Sequence, residues 1–341
     1  MTGLETTRSF TLRDYDLAAT LTCGQAFRWE SRDECWDGVI GSHWVRLHLG
    51  PGISTSESGD LPNALLPSPS PPLGERVGER KPFALTSTNS TAVGPGSLTA
   101  ETAFPVTDWH WLTHYLQLDV DLGEVTRTFP DDEPMRAAVL ACRGLRLLRQ
   151  DPWECLASFI LSSTKQIVQI RQIAALLCQR YGEPLAVAPG CPPAFAFPSP
   201  ARLARATEAE LRACKMGFRA PYLLATARLI ADGQCDLGRL HALPIETARA
   251  KLMQLPGVGR KIADCVLLFA CGFDSAFPVD VWMMRALRQL YFPRRSVSRP
   301  RLHRFAATHF GPRAGYAQQY LFHYIRTKAI QPAQRLRTAC R

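Results

Sequence analysis

A turn with two glycines between two helical patterns constrains the fold of this chain more than any other segment. The turn reads Leu-Pro-Gly-Val-Gly over residues 255–259. Proline stiffens its start, while glycine permits a positive φ and lets another backbone come close. Apolar residues recur at helical intervals over residues 245–254 and again from Gly259 onward. The sequence therefore predicts a helix, a hairpin and a second helix over about residues 245–271.

The backbone of this turn is suited to bind an anion. Amides at the N-terminus of a helix have no partner within the helix, and the helix dipole adds a partial positive charge there. We therefore expect the backbone around Gly257, Val258 and Gly259 to bind a phosphate group. The common alternative is a glycine turn that only caps structure.

Lys261 stands two residues after the second glycine, in the first turn of the following helix. The helix dipole disfavours a cation at this end, and partial burial disfavours it further. A neutral amine is a nucleophile, so Lys261 is a candidate catalytic residue. The alternative is an ordinary lysine on a solvated surface.

Asp280 lies 19 residues beyond Lys261 and directly after Pro278-Val279. A helix is predicted over residues 281–290, so the aspartate side chain can cap it. An ionised carboxylate at a site with little water can also stabilise a cation that forms during a reaction. The two roles are compatible.

Positive charge is concentrated in the second part of the chain. Residues 1–200 hold 16 Lys and Arg against 22 Asp and Glu, whereas residues 201–341 hold 24 against 8, a net charge of +16. The basic part also contains the hairpin, which indicates a polyanion as partner. The densest basic cluster, for which we expect only steering of a phosphate backbone, consists of Arg294, Arg295, Arg299, Arg301 and Arg304.

Composition excludes several classes of protein. The chain is 46% hydrophobic, as in a globular enzyme, and no apolar run approaches the ~20 residues of a membrane span. Its N-terminus lacks the pattern of a secretory signal, so we expect an intracellular protein, in the cytoplasm, nucleoid or nucleus, that is not secreted. The 11 cysteines include no CxxC pair and no tight cluster, so we expect buried thiols and no metal site.

Changes in composition along the chain predict an α+β fold. Alternating residues predict strands at residues 10–12, 26–29, 36–40 and 44–48. Residues 49–104 have little apolar content, which predicts a disordered insertion, with a short strand near residues 82–86 that returns to the sheet. From Asp108 onward the spacing is helical. We expect a small antiparallel sheet domain over residues 1–125 and a helical domain over residues 126–341.

The hairpin and Pro278-Val279-Asp280 together resemble the helix-hairpin-helix motif of DNA glycosylases. Further segments resemble the 8-oxoguanine DNA glycosylase family over nearly the whole chain except the insertion: CGQAFRW (23–29), LQLDVDL (116–122), GLRLLRQDPWECLASFI (144–160), MGFRAPY (216–222) and GYAQQYLF (315–322). The resemblance implies a bifunctional DNA glycosylase and lyase of base excision repair. It would act as a monomer on double-stranded DNA containing a damaged base, without a cofactor or a catalytic metal. An iron–sulfur branch of this superfamily is excluded, because its four cysteines follow the aspartate, where this chain has only Cys340.

The resemblance also implies the chemistry of two residues. Lys261 would attack the sugar C1′, release the base and form a Schiff base, and β-elimination would then nick the strand. Asp280 would stabilise the cationic sugar or prepare the nucleophile. Arg219 would reach the cytosine that the extruded base leaves behind.

Four more residues match the family's pocket for the damaged base. Gly24 would present its carbonyl to the N7 hydrogen that oxidised guanine has and guanine lacks. Gln318 would bind the pairing edge, while Phe322 and Cys265 would sandwich the faces of the base. Each has an ordinary alternative: a turn for Gly24, core packing for Cys265 and Phe322, and a surface position for Gln318.

The chain departs from the family at several positions. Thr164, Lys165 and Gln166 replace asparagines that fill the gap left by the extruded base, and Gln169 replaces an arginine that helps to read cytosine. A bidentate contact to a base contributes about 1–3 kcal/mol, so we expect selectivity for the opposite base to be looser or set differently. Trp282 replaces a histidine, and its indole N–H can still donate to a DNA phosphate without supplying positive charge.

Two alternative functions stay open. The same fold could remove another damaged base, because substrate choice depends on the pocket and not on the lysine. The chain could also bind DNA through the hairpin without catalysis, as the substitutions at Thr164 and Gln169 allow.

Overall fold

The computed structural model describes residues 4–50, 96–162, 165–293 and 296–338, with side chains described as far as residue 327. These residues form an antiparallel sheet followed by a mostly helical body. The α+β fold expected from the sequence is therefore confirmed. The division into two domains at residue 125 stays a prediction.

The N-terminal sheet has five strands in the order β1, β5, β4, β3, β2, and every neighbouring pair is antiparallel. The strands are β1 (Glu5–Leu12), β2 (Glu30–Arg32), β3 (Cys35–Ile40), β4 (His43–Leu49) and β5 (Gly96–Val106). Its buried face packs against α1 (Leu17–Thr22) and α2 (His110–Leu116). Trp29 and Trp109 are the largest fully buried side chains in this layer.

The prediction of a disordered insertion over residues 49–104 is wrong at both ends, because Leu49 is the last residue of β4 and residues 96–104 form a strand. They lie in β5, which pairs with β1 on one side and β4 on the other. Buried Leu98, Ala100 and Thr102 alternate with less buried residues, which is the period of a strand with one packed face. Ser, Thr and small residues conceal this alternation when composition alone is considered. The rest of the predicted insertion, residues 51–95 with the strand near 82–86, lies outside the described residues.

The segment between β1 and β2 was also predicted wrongly. α1 was missed, although Asp16 caps it by accepting a hydrogen bond from the Ala19 amide at 2.8 Å. Residues 26–29 were predicted as a strand and are irregular instead. Phe27 and Trp29 are both buried and Arg28 is less so, which imitates the alternation of a strand.

The helical body contains most of the described residues after β5. Its helices are α3 (Leu122–Thr126), α4 (Glu133–Ala141), α5 (Pro152–Leu161), α6 (Ile167–Tyr181), α7 (Pro200–Ala204), α8 (Glu208–Leu211), α9 (Ala220–Ala231), α10 (Ile245–Met253), α11 (Arg260–Phe269), α12 (Val281–Tyr291), α13 (Arg299–His309) and α14 (Ala314–Thr338). Two short strands, β6 (Pro184–Leu185) and β7 (Ala194–Phe195), pair between α6 and α7. Asp151 caps α5 through the Glu154 amide, as the sequence predicts.

α10 and α11 form the predicted helix-hairpin-helix unit. Buried Arg249 of α10 donates from Nε to Oδ1 of buried Asp264 in α11 at 2.6 Å. α11 also packs against α5, where the rings of Phe159 and Phe269 stack with their centroids 5.6 Å apart. The start of α11 is therefore fixed between two helices of the core.

The shape of the turn depends on Gly257 rather than on Gly259. Gly257 has a φ of +76°, and a Cβ atom there would lie 2.8 Å from Cβ of Tyr222 in α9. Gly259 has a φ of −93°, and a Cβ atom there would meet nothing within 4 Å. The Pro256 carbonyl accepts a hydrogen bond from Thr226 Oγ1, also in α9, at 3.1 Å. Packing of the turn against α9 thus requires glycine at position 257.

None of the described helices combines the length and the apolar character of a membrane span. The ten cysteines within the described residues are free thiols. The same residues contain no group of three or more His, Cys, Asp or Glu side chains arranged to hold a metal ion.

Gly257→Ala should destabilise the protein by about 1–3 kcal/mol, because it combines an unfavourable φ with a contact to Tyr222. Gly259→Ala is the matched control and should change the free energy of unfolding by less than about 0.5 kcal/mol. Urea unfolding of both variants measures the difference. Equal losses at the two glycines would contradict the geometry given for the turn.

Candidate active site

The amine of Lys261 lies where the end of α5 meets the start of α11. Nζ donates to Ser162 Oγ at 3.2 Å and lies 4.7 Å from the centre of the Phe159 ring. Ser162 is the C-cap residue of α5, and Phe159 lies one turn before it. The side chain of Lys261 is partly buried, so its amine rests against the protein rather than in open solvent.

The first turn of α11 leaves its amides available. Among the described residues no side chain caps this helix, and its N-cap residue is Gly259, which is exposed. Val258 is buried, and its amide donates a hydrogen bond to the Leu255 carbonyl within the turn at 3.1 Å. The free amides of the turn and helix start, with the dipole behind them, can bind a phosphate.

Cys265 lies one turn after Lys261 on α11 and is buried. Burial raises the pKa of its thiol to about 12, while Lys261 lowers the pKa and Asp280 raises it. The thiol is therefore neutral at physiological pH and presents a soft apolar surface. Because both charged groups act on one sulfur, Lys261 and Asp280 lie around the same site.

Asp280 caps α12, as predicted. Its Oδ1 accepts a hydrogen bond from the Met283 amide at 2.7 Å. Within the described residues Oδ2 accepts no hydrogen bond, and the side chain is partly exposed. One oxygen thus holds the helix start while the other is available to a cationic centre.

Gly24 and Phe322 face each other across a second part of the site. Gly24 has a φ of +91°, and a Cβ atom there would lie 3.1 Å from Ile167 Cδ1, 3.4 Å from Arg326 Nη1 and 3.7 Å from Phe322 Cε1. A side chain at position 24 would be strained and would fill the space beside the Phe322 ring. The glycine therefore serves more than a strand turn.

Gln318 is buried, so the alternative of a surface position is wrong. Its Nε2 contacts Met283 Sδ at 3.7 Å, while its Oε1 is buried without a hydrogen-bond partner among the described residues. A buried amide oxygen that accepts no hydrogen bond costs free energy, and a bound ligand with N–H groups would supply the missing donor. Phe322 lies one turn further along α14, on the same face of the helix.

The structure brings these residues together through α12. Met283, whose amide binds Asp280, is the contact of Gln318 in α14. The catalytic candidates and the candidates for the base pocket therefore line one site between α11, α12 and α14. Their roles stay predictions.

Trp282 is partly buried in the first turn of α12. The guanidinium of Arg285 lies 5.4 Å from the centre of its ring. Arg285 was not predicted from the sequence. It supplies, beside the indole ring, the positive charge that tryptophan itself lacks. Its spacing of three residues from Trp282 on one helix face was the available signal.

Arg219 lies between two aromatic side chains that sequence reasoning also missed. Its guanidinium is 4.7 Å from the Phe218 ring centre and 5.6 Å from that of Tyr222. Phe218 is 52% exposed and Tyr222 is 41% exposed, which is unusual for large rings on a globular protein. Burial lowers the pKa of Arg219, and its Nε has no partner among the described residues. The trio is suited to contact bases, and the aromatics of MGFRAPY were visible in the sequence.

Gln169 stabilises the start of α6 in this chain. Its Oε1 accepts a hydrogen bond from the Gln166 amide at 3.0 Å and completes a capping box at the start of α6. Lys165 is partly buried just before this helix. Thr164 lies outside the described residues.

Comparison with known proteins shows the family to which the chain is similar. A family model described as the N-terminal domain of 8-oxoguanine DNA glycosylase matches residues 9–156, and one described as a helix-hairpin-helix superfamily base excision DNA repair protein matches residues 157–308. The probable N-glycosylase/DNA lyase of Methanothermobacter thermautotrophicus is 32% identical over 230 residues, which cover 60% of this chain and 70% of that protein. The N-glycosylase/DNA lyase of Arabidopsis thaliana is 30% identical over 322 residues, 90% of this chain and 76% of that protein.

Solved structures give the same result. The 8-oxoguanine glycosylase/lyase of Clostridium acetobutylicum, in complex with double-stranded DNA containing cytosine opposite 8-oxoguanine, superposes with a TM-score of 0.74. It is 26% identical, and the match covers 96% of this chain and all of that one. The chain therefore belongs to the 8-oxoguanine DNA glycosylase family of N-glycosylase/DNA lyases.

Proposed function

We propose that this protein is a bifunctional DNA glycosylase and lyase of base excision repair that removes 8-oxoguanine from duplex DNA. The observation that carries the proposal is the amine of Lys261, held by Ser162 and the Phe159 ring near Asp280. Membership of a family of N-glycosylase/DNA lyases supports the assignment of this amine as the nucleophile. Because DNA is its substrate, the protein would act inside the cell, in the cytoplasm, nucleoid or nucleus. It would act as a monomer.

Lys261 would attack the sugar C1′ as a neutral amine. The bond from C1′ to the base breaks, and the base leaves with the bonding electron pair and gains a proton. The attached nitrogen gives up a proton, the C1′–O4′ bond of the sugar breaks with its electron pair on O4′, which takes up a proton, and the nitrogen lone pair forms the C1′=N bond of a protonated Schiff base. Loss of a proton from C2′ then drives β-elimination, which expels the 3′ phosphate and nicks the strand. Asp280 would stabilise the positive charge that develops on the sugar, using the oxygen not engaged in the helix cap.

The extruded base would be read by groups with few internal partners. The carbonyl of Gly24 would accept the N7 hydrogen of the oxidised base, and the unpartnered Oε1 of Gln318 would accept N–H groups of its pairing edge. Phe322 and the neutral Cys265 thiol would cover its two faces. An uncharged thiol is important here, because a thiolate would repel the electron-rich base.

The DNA backbone would be held on the opposite side of Lys261. The amides of Gly257, Gly259 and the start of α11 would bind a phosphate, whereas the Val258 amide, which the sequence placed in the same role, already donates to the Leu255 carbonyl. Trp282 with Arg285 would bind another phosphate. Arg219 would reach the cytosine left behind, with Phe218 and Tyr222 in the gap of the duplex. No cofactor or metal is required by this chemistry.

Lys261→Gln should lower base release by about 10³-fold or more, because the glutamine amide is not a nucleophile. Lys251→Gln changes an exposed lysine of the same hairpin unit and should leave release unchanged. The measurement is single-turnover release from duplexes carrying 8-oxoguanine or other damaged bases. Faster release of a different lesion would favour the alternative substrate, and undiminished release by Lys261→Gln would contradict the proposal.

Asp280→Asn should separate capping from electrostatics. Asparagine caps helices as well as aspartate does, so the free energy of unfolding should change by less than about 1 kcal/mol. Loss of the charge should slow base release by about 100-fold. Urea unfolding and single-turnover release test both parts, and a variant that is destabilised without being slowed would show that Asp280 only caps α12.

Arg219→Gln should reduce the preference for cytosine opposite the lesion by a factor of about 5 to 100, because Gln169 leaves this arginine as the main reader of the opposite base. Arg239→Gln, at a side chain 87% exposed on the surface, is the control. Release rates with each of the four opposing bases give the preference. A wild type without preference, or a variant that keeps it, would remove Arg219 from this role.

A further inference from the structure

Two arginines beside the base pocket lack the partners that buried cations normally have. The Nε of Arg171 in α6 is buried without a hydrogen-bond partner among the described residues. Arg326 in α14 donates from Nη1 to the Cys23 carbonyl at 3.3 Å, its one hydrogen bond within the same part of the chain. Neither forms an ion pair with a described carboxylate. Both side chains are partly buried. Cations that are withdrawn from water are normally paired, so these two arginines require an explanation.

Both guanidinium groups are destabilised where they lie. Burial lowers the pKa of Arg171, and the attraction of Glu30 opposes this only in part. Burial also lowers the pKa of Arg326, which Arg171 lowers further and Asp280 raises. Glu30 is exposed and already pairs with Arg32 at 2.6 Å. An oxygen acceptor supplied by a ligand would offset the cost of these charges.

The position of Arg326 shows which ligand can supply that oxygen. Its Nη1 lies 3.4 Å from where a Cβ atom of Gly24 would be, and its guanidinium is 5.2 Å from the centre of the Phe322 ring. Ile167, the other neighbour of Gly24, precedes Arg171 by one turn of α6, which puts Arg171 on the same side. The cations therefore border the space between Gly24 and Phe322, inside the site rather than along its outer rim.

Oxidised guanine presents a matching edge to this space. Its N7–H donor stands between two carbonyl acceptors, O6 and O8. The carbonyl of Gly24 suits the donor, and an arginine beside Gly24 suits a flanking oxygen. Undamaged guanine has neither N7–H nor O8, and oxidised adenine has O8 but an amino group at C6.

We propose that Arg326 is a further base-reading residue, which donates a hydrogen bond to a carbonyl oxygen next to N7–H of the extruded oxidised purine. Arg171 lies close enough to act on Arg326 and keeps this end of the pocket positive. The inference rests on the proposed function, because it takes the extruded base to lie between Gly24 and Phe322.

Arg326→Met tests the role, because it keeps an unbranched side chain and removes every donor. The Cys23 carbonyl retains a donor in this variant, since Gln319 Nε2 also binds it at 3.3 Å. Arg326→Lys keeps one charge and a donor, and Arg239→Met is the surface control. Each protein is assayed for single-turnover release of 8-oxoguanine and 8-oxoadenine, for affinity to a duplex with a tetrahydrofuran abasic analogue, and for urea unfolding.

Arg326→Met is expected to release 8-oxoguanine about 10- to 100-fold more slowly, with partial recovery in Arg326→Lys. Affinity for the abasic analogue, which has no base, should change by less than about 3-fold. An equal loss on 8-oxoadenine assigns the contact to O8, and a loss confined to 8-oxoguanine assigns it to O6.

Three results would overturn the inference. Unchanged release by Arg326→Met would show that the residue does not read the base. Slower release would show a structural role alone if Arg326→Lys does not recover it and if a loss of stability in urea unfolding accounts for it. A matching loss of affinity for the abasic analogue would assign Arg326 to a DNA phosphate instead. If the wild type releases no oxidised purine, the proposed function itself fails, which is distinct from a failure of the variant alone.

Discussion

The contact between the end of α5 and the start of α11 determines where chemistry can occur in this molecule. Ser162 and the Phe159 ring hold the Lys261 amine at that contact. α11 is fixed in turn by the buried pair of Arg249 and Asp264. The amine that we propose as the nucleophile is therefore positioned by core packing and does not rely on a mobile loop.

The electrostatics of the site follow from what is charged and what is neutral around Lys261. The helix dipole and Phe159 act in opposite senses on the amine, since the dipole disfavours a cation and the ring face attracts one. Cys265 stays protonated because of its burial, and Asp280 contributes negative charge to the surroundings of this thiol, as does Asp264, which is paired with Arg249. A single carboxylate with one oxygen committed to a helix cap suits a site that must stabilise positive charge briefly.

Features set by local sequence could be predicted. The hairpin, the cap of α5 by Asp151 and the cap of α12 by Asp280 depend on residues within four positions of one another, and all three are present. β5 was missed because its partners, β1 and β4, are distant in sequence and its side chains are small and polar. The alternation along β5 is weak in the sequence because most of its residues are small or polar, and the pairing with distant segments has no local signature.

The site shows the same limit. The family resemblance indicated Lys261 and Asp280, but not the partners that hold the amine, because Ser162 and Phe159 lie about a hundred residues earlier. The unusual feature of Arg326 is its lack of partners, which only the fold reveals. Gln169 is the converse case, because its task in a helix cap is local and explains how the chain uses a residue that departs from the family.

The most direct test of this account is to trap the covalent intermediate. The wild type, incubated with a duplex containing 8-oxoguanine and sodium borohydride, should form a stable protein–DNA adduct, and peptide mass spectrometry should locate the sugar on Lys261. An adduct on another lysine, or base release with no adduct at all, would contradict the claim that this amine is the nucleophile.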